Sequence, residues 1–339
     1  MTASISNNNL NSDRHLTISE AREQLIKTAI SAIRTISRDN AIRLQIFDKN
    51  IQSLNSGIFY GSAYYKALVK TDQQALLDFH KIKGSFYYGY APTKHFYMPL
   101  NPTFPTGVQP YRFVIYEDVK PSDALEAMRK GPSFLGCGEV CQIAYLEAIK
   151  ELLGKEKFDC IFAAESSTPL TIQLELNNPF NCLTTNVRPE EIKTGQIVFF
   201  QNIPEYKIKH PHDDAQGFWS ICCDDTPGKE TFTSLGLSAD GLKREEVQEA
   251  LYTEYNNLPM GLETVTKEIA DRILKTLNPL QLNMIKQYAA HQVSREEFSI
   301  RGGGKITFSV DFNFERIMEL ANTSTEKARA LFTKWVKSR

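Results

Sequence analysis

Leu25, Ile26, Ala29, Ile30, Ile33 and Ile36 recur three and four residues apart through "LTISEAREQLIKTAISAIRTISRDN", a spacing that predicts an amphipathic helix. Thr17 or Ser19 stands before it as a cap, with Glu20 and Glu23 in the first turn. A second helix is predicted over 73–82. Residues 84–110, rich in Gly, Pro and aromatics, read as a loop-rich boundary. "YRFVIYEDV" at 111–119 has the β-branched and aromatic content of a strand. "PSDALEAMRK" is a short helix capped by Ser122 or Asp123 and ended by Gly131-Pro132. From about Gly138 to Leu153 a further helix is predicted, with Ile143, Leu146, Ala148, Ile149 and Leu153 buried and Gly154 as its stop. Apolar or alternating segments follow at 158–164, 169–176, 195–202, 217–225 and 230–238. Helical spacing returns at 243–256, 263–276 and 279–294, "GGGKITFSVDF" interrupts as a glycine turn and strand, and 313–338 closes as helix. With strands grouped in the middle and no βαβα alternation, the predicted class is α+β.

Composition narrows the function classes. The 339 residues suffice for two structural units or for one core with substantial additions. A net charge of −1 and a pI near 6.6 provide no global basic field to recruit nucleic acid. No apolar run approaches the ~20 residues that span a bilayer, so no membrane partner is expected. "MTASISNNNLNSDRH" reads as a disordered polar tail without the features of a secretory signal. The expected location is therefore cytoplasmic, with signal-less secretion into a host left open. Cys137, Cys141, Cys160, Cys182, Cys222 and Cys223 are expected as reduced thiols. A zinc site is disfavoured: Cys137 and Cys141 lack the two-residue gap, and adjacent Cys222 and Cys223 point to opposite faces of a strand.

The candidate chemistry lies in "GPSFLGCGEVCQIAYLEAI", residues 131–149. A helix N-terminus favours thiolate, and Cys137 sits where the helix should begin, between two glycines. Cys141, one turn in, belongs with the core. Glu139 suits the first turn, although its charge opposes a nearby thiolate. A nucleophilic thiol also needs a base, usually a histidine from elsewhere in the chain. Of His15, His80, His95, His210, His212 and His291, the pair His210 and His212 in "KIKHPHDDAQGFW" lies in a polar loop between two strands. Asp213, Asp214, Asp224 or Asp225 could orient either ring. A solvated loop is the plain alternative for this stretch.

"KPSDALEAMRKGPSFLGCGEVCQIAYLEAIKELLGKEKFD" resembles the core of the bacterial spore-coat transglutaminases: a Pro-Ser-x-Ala helix, a Gly-Pro break, a cysteine at a helix start and a Gly-x-x-Lys-Phe exit. The likeness continues through "GQIVFFQNIPEY", "DAQGFWSICCDD" and "ETFTSLGLSADG", spanning roughly residues 110–245. The Cys-Gly-Glu start is also similar to the catalytic-helix entry of papain-like and transglutaminase-like proteins, including bacterial effector enzymes. The resemblance implies a papain-like or transglutaminase-like core, with a catalytic helix packed on an antiparallel sheet. It divides the chain into a tail (1–16), a helical and loop-rich region (17–109), that core (110–245) and a mainly helical region (246–339).

By the same resemblance the nucleophile is Cys137. The family's acidic residue before the cysteine is replaced by Gly136, its second glutamate falls near Phe218, and its histidine near Ser234. A migrated base at His212 or His210, with Asp224 as orienting carboxylate, is the expectation for an active enzyme. The implied reaction transfers the acyl group of a protein glutamine through a thioester to a lysine amine or to water, with no cofactor or metal. A catalytically inactive scaffold serving as an interaction or effector module is the alternative, and a cysteine protease a further one.

Overall fold

The computed structural model describes residues 17–38, 42–44, 94–97, 99, 112–130, 133–166, 169–174, 176, 178–210, 216–234, 237–257, 279–280, 283 and 291–338. Helix α1 (Ile18–Arg38) starts at a capping box: the Glu20 amide donates to Thr17 Oγ1 at 3.2 Å, and the Thr17 amide to Glu20 Oε2 at 3.0 Å. Its predicted stripe is realised by Ala21, Leu25, Ala29, Ile33 and Ile36, with Ile26 and Ile30 on the margin. Short strands β1 (Ile42–Leu44), β2 (Phe96–Tyr97) and β3 (Phe113–Ile115) follow, then helix α2 (Pro121–Lys130) and β4 (Ser133–Leu135). Helix α3 (Cys137–Leu153) ends at Gly154, whose φ of +80° makes the predicted stop.

Helix α4 (Lys155–Phe162) corrects the expectation of an apolar or alternating segment at 158–164. Phe158, Ile161 and Phe162 are buried at helical spacing, which a short apolar run does not distinguish from a strand. Then come β5 (Thr171–Ile172), β6 (Asn181–Thr185), β7 (Ile197–Gln201), the one-turn helix α5 (Tyr206–Lys209), β8 (Gly217–Asp224), β9 (Thr231–Thr233) and β10 (Leu242–Lys243). Helices α6 (Arg244–Asn256) and α7 (Arg295–Ile300) precede β11 (Ile306–Phe312), α8 (Phe314–Ala321) and α9 (Thr325–Lys337). The single helix expected over 313–338 is thus two helices. Asn322, Thr323 and Ser324 separate them, with Thr323 Oγ1 turned back to the Glu319 carbonyl and Ser324 at the N-cap of α9. The tail, the helix expected at 73–82 and that at 263–276 lie outside the described residues, as does most of 279–294.

The main sheet is antiparallel, in the order β10-β9-β8-β7-β11-β6. Its strands alternate between two cores. Ile197, Ile221, Val310 and Phe312 face α3 and α1, whereas Val198, Phe200, Cys222 and Phe232 face Val247, Leu251 and Tyr255 of α6. Strand β11 comes from the region set apart at 246–339 yet sits between β7 and β6, and α1 packs on α3. The core therefore is not confined to residues 110–245. No helix among the described residues is long and apolar enough to cross a membrane.

The α+β arrangement expected from the sequence is thus the one observed, a central helix lying on an antiparallel sheet. Tyr145 joins the two layers. Its hydroxyl lies 2.8 Å from the Gly195 carbonyl and 2.9 Å from that of Val310, and it accepts the Ile197 amide at 3.3 Å. Its ring stacks on Phe312 at 3.8 Å. Gly195 itself has φ +91°, and any Cβ there would fall 2.6 Å from Ile26 of α1, so only glycine closes this junction. Replacing Tyr145 by Phe leaves these buried backbone groups short of a partner. Denaturant unfolding of Tyr145→Phe should show a loss of about 1–3 kcal/mol.

Candidate functional site around Cys137

Cys137 is the first residue of α3, one position earlier than the sequence suggested. Gly136, the N-cap, is extended at φ −78° and ψ 167° and supplies no side-chain cap. Cys137 thus stands at the positive end of a seventeen-residue helix, where the dipole favours negative charge.

A donor comes from the sheet. The Cys222 amide donates to Gln196 at 2.9 Å, and the Gly195 amide to Cys222 at 2.8 Å. Even-numbered residues of β8 thus turn their backbone groups toward the β7 side, and odd-numbered ones toward β9. Among the described residues β9 ends at Thr233, which pairs with Ile221, and the next N–H on that side of β8 is that of Trp219. It donates to Cys137 Sγ at 3.3 Å. Gly138 permits this approach: a Cβ there would lie 3.2 Å from Trp219 Cδ1 and 3.4 Å from the Leu174 side chain.

Cys137 is 8% exposed, whereas Cys141 is sealed. Burial pushes the Cys141 thiol well up, and the neighbouring Cys137 adds to the effect while a hydrogen bond with Ser234 opposes it. Glu139 folds back over the N-cap, so that a Cβ on Gly136 would meet its Oε2 at 2.5 Å.

The other predicted site residues are not gathered here. His210 ends α5 on the opposite side of the sheet, 2% exposed, with its ring stacked on Tyr206 and Nε2 3.0 Å from the Tyr255 carbonyl. Lys209 lies beside it, fully buried. Its Nζ donates to the carbonyls of Tyr255 at 2.7 Å and His291 at 2.8 Å, and burial brings its pKa down to about 8. His212, Asp213 and Asp214 lie outside the described residues. Their segment rejoins the described chain at Gln216, and Gly217 opens β8 roughly 7 Å along the strand from Trp219.

Asp224 closes the far end of β8, roughly 16 Å of strand from Trp219. There its carboxylate accepts the Thr226 amide at 2.8 Å, and hydrogen bonding from the Thr226 side chain, then from this amide, holds its pKa below the usual range. Asp225 takes the Thr194 hydroxyl at 2.8 Å. His95 and His291 are placed elsewhere, the first beside Tyr116 and Asp123, the second on the Tyr255 hydroxyl at 3.1 Å. Phe218 belongs to the core under α6, and buried Ser234 serves Cys141 and accepts the Ser37 hydroxyl. Sequence reading missed Trp219, because a backbone N–H carries no residue-type signal.

No protein-family model matches the chain. No curated protein matches it either. Among solved structures it is similar to the transglutaminase from Geobacillus stearothermophilus (without C-terminal extension), at 10% identity and a TM-score of 0.49, over 91% of this chain and 98% of that one.

Iodoacetamide labelling read by peptide mass spectrometry should modify Cys137 at least about tenfold faster than Cys141 under native conditions. Lys209 yields a pH prediction. Its folded pKa lies below the unfolded one, so the unfolded chain binds more protons from about pH 8 to 10.5, and stability rises with pH across that window. From about pH 7.5 to about pH 10 the wild type should gain on the order of 1–3 kcal/mol relative to Lys209→Met in urea titrations.

Proposed function

We propose that this chain is a cysteine-dependent acyltransferase of the transglutaminase type, acting on glutamine in a protein substrate. The observation that carries the reading is the seat of Cys137: its sulfur accepts the Trp219 N–H at 3.3 Å, and it is the first residue of α3, where the helix dipole favours an anion. Both favour a nucleophilic thiolate, and either could move to an oxyanion once the sulfur is acylated. The Cys137 thiolate attacks the carboxamide carbon, and ammonia leaves with a proton from the base. A lysine amine then forms an isopeptide bond, or water yields glutamate. No cofactor or metal takes part in this scheme.

His212 is the proposed base. Its segment returns to the sheet at the Cys137 end of β8, whereas His210 is turned into the opposite core. Orientation of the imidazole falls to Asp213 or Asp214 rather than to Asp224, which sits at the far end of the strand. The six free thiols fit a reducing, cytoplasmic setting.

A second reading, a non-catalytic interaction scaffold, is favoured by one feature. The positions aligned with the family's glutamate and histidine hold core Phe218 and Ser234, and Ser234 is bonded within the fold.

Ammonia release and amine incorporation with dimethylcasein separate the readings. Wild type should be active and Cys137→Ala at background. His212→Ala should lose about 10²–10⁴-fold, the scale of a general base. Equal background activity in wild type and Cys137→Ala across several protein substrates would leave the scaffold reading, and cleavage of the substrate chain would indicate a protease.

A further inference from the structure

The acyl acceptor in the proposed reaction is a primary amine, which arrives as a cation and must shed a proton before it attacks. The helix start that seats Cys137 also holds an anion. Glu139, half-exposed in the first turn of α3, is folded back so that its Oε2 fills the space beside Gly136, the residue just before the nucleophile. Glycine at 136 is what lets the carboxylate settle there. The backbone, at φ −78° and ψ 167°, would accept any L residue, but a Cβ would fall 2.5 Å from Oε2 and 3.7 Å from Cδ. The field of this carboxylate reaches into the helix: after burial and Cys137, Glu139 is among the groups that push the Cys141 thiol up.

An anion in the same first turn as Cys137 opposes a resting thiolate, so it does not serve the first half of the reaction. It suits the second half. Once the sulfur is acylated it is neutral, and the carboxylate faces an incoming ammonium beside an uncharged thioester. We infer that Glu139 selects the acyl acceptor, binding a primary ammonium at the Cys137 thioester and taking its proton in preference to admitting water. This rests on the acyl-transfer reading above.

The step balances. The ammonium gives one proton to the Glu139 carboxylate, and the neutral amine attacks the thioester carbon. The new C–N bond forms as the C–S bond breaks, the second proton passes from nitrogen to the departing thiolate, and Glu139 releases its proton to solvent. Water in the same place gives the free acid and the thiol, without an ionic anchor for the nucleophile.

Two variants move the carboxylate in different ways. Glu139→Gln removes its charge. Gly136→Ala keeps it but displaces it, because the end of a flexible side chain yields to the new methyl group. The measurement is the ratio of 5-aminopentyl-dansyl amine incorporated into dimethylcasein to total ammonia released, over a series of amine concentrations. Both variants should lower this ratio roughly tenfold and raise the amine concentration for half-maximal transfer, the scale of one charge-assisted hydrogen bond. An unchanged or increased ratio in both variants overturns the inference while leaving thioester chemistry in place. A wild type that releases ammonia but incorporates no amine overturns it in the same way. A wild type indistinguishable from Cys137→Ala in ammonia release overturns the acyl-transfer reading and this inference together.

Discussion

Thirteen of the seventeen residues of α3 are buried, and a helix apolar on nearly every side needs neighbours on every side. The sheet supplies one wall through Ile197, Ile221, Val310 and Phe312, and α1 supplies another through its Leu25, Ala29 and Ile33 stripe. Each large aliphatic side chain so enclosed contributes roughly 1.5–3 kcal/mol, which makes the burial of this helix the dominant constraint on the chain. It draws both ends of the sequence inward. Without α1 one face of α3 would be open, and without β11 the sheet beneath it would be split between β7 and β6. Tyr145 then pins the register, because its hydroxyl reaches backbone groups of β7 and β11 and of Gly195 just before β7.

The candidate site follows from where this packing leaves the helix start. A backbone N–H shut away from water without an acceptor costs about 1–3 kcal/mol, and that of Trp219 is directed at Cys137. The sulfur of Cys137 meets that need. The proposed nucleophile role is compatible with this one, because a thiolate is the better acceptor. Glycines on both sides ease the packing, one beneath the folded-back Glu139 and one against Trp219 and Leu174.

Much of this was legible in the sequence because it is local. Helical spacing revealed α1 and α3, Gly154 marked a stop, and glycine before and after Cys137 placed it at a helix start. What escaped depends on distant partners. Strand β6, "NCLTT", is an exposed edge with no apolar alternation, and only its pairing with β11 makes it a strand. Helix α4 looks like a strand until Phe158, Ile161 and Phe162 are seen packing at helical spacing. "KIKHPHDD" reads as polar, yet Lys209 is among the most buried side chains, because two carbonyls from separate segments receive its ammonium. Nothing in residue type indicates which side of a sheet a short helix such as α5 will turn to, so His210 and His212 looked equivalent. Asp224 falls away only once Trp219 is known to mark the site, because four strand residues lie between them.

Cys137 and Cys141 show how one helix turn divides structure from chemistry. Both are on the same helix, with nearly the same direction, and both are shielded from bulk water. At Cys141 the surroundings offer little to a charge except the Ser234 hydroxyl, and burial disfavours the thiolate. At Cys137 the helix start and the Trp219 N–H favour the anion, while Glu139 works against it. The opposing carboxylate is therefore hard to explain as an activator of the resting thiol. Its cost to the thiolate disappears when the sulfur is acylated and neutral, and its attraction for a cation remains. In the proposed reaction, that change of sign would give the carboxylate a use beyond its favourable place in the first turn of the helix.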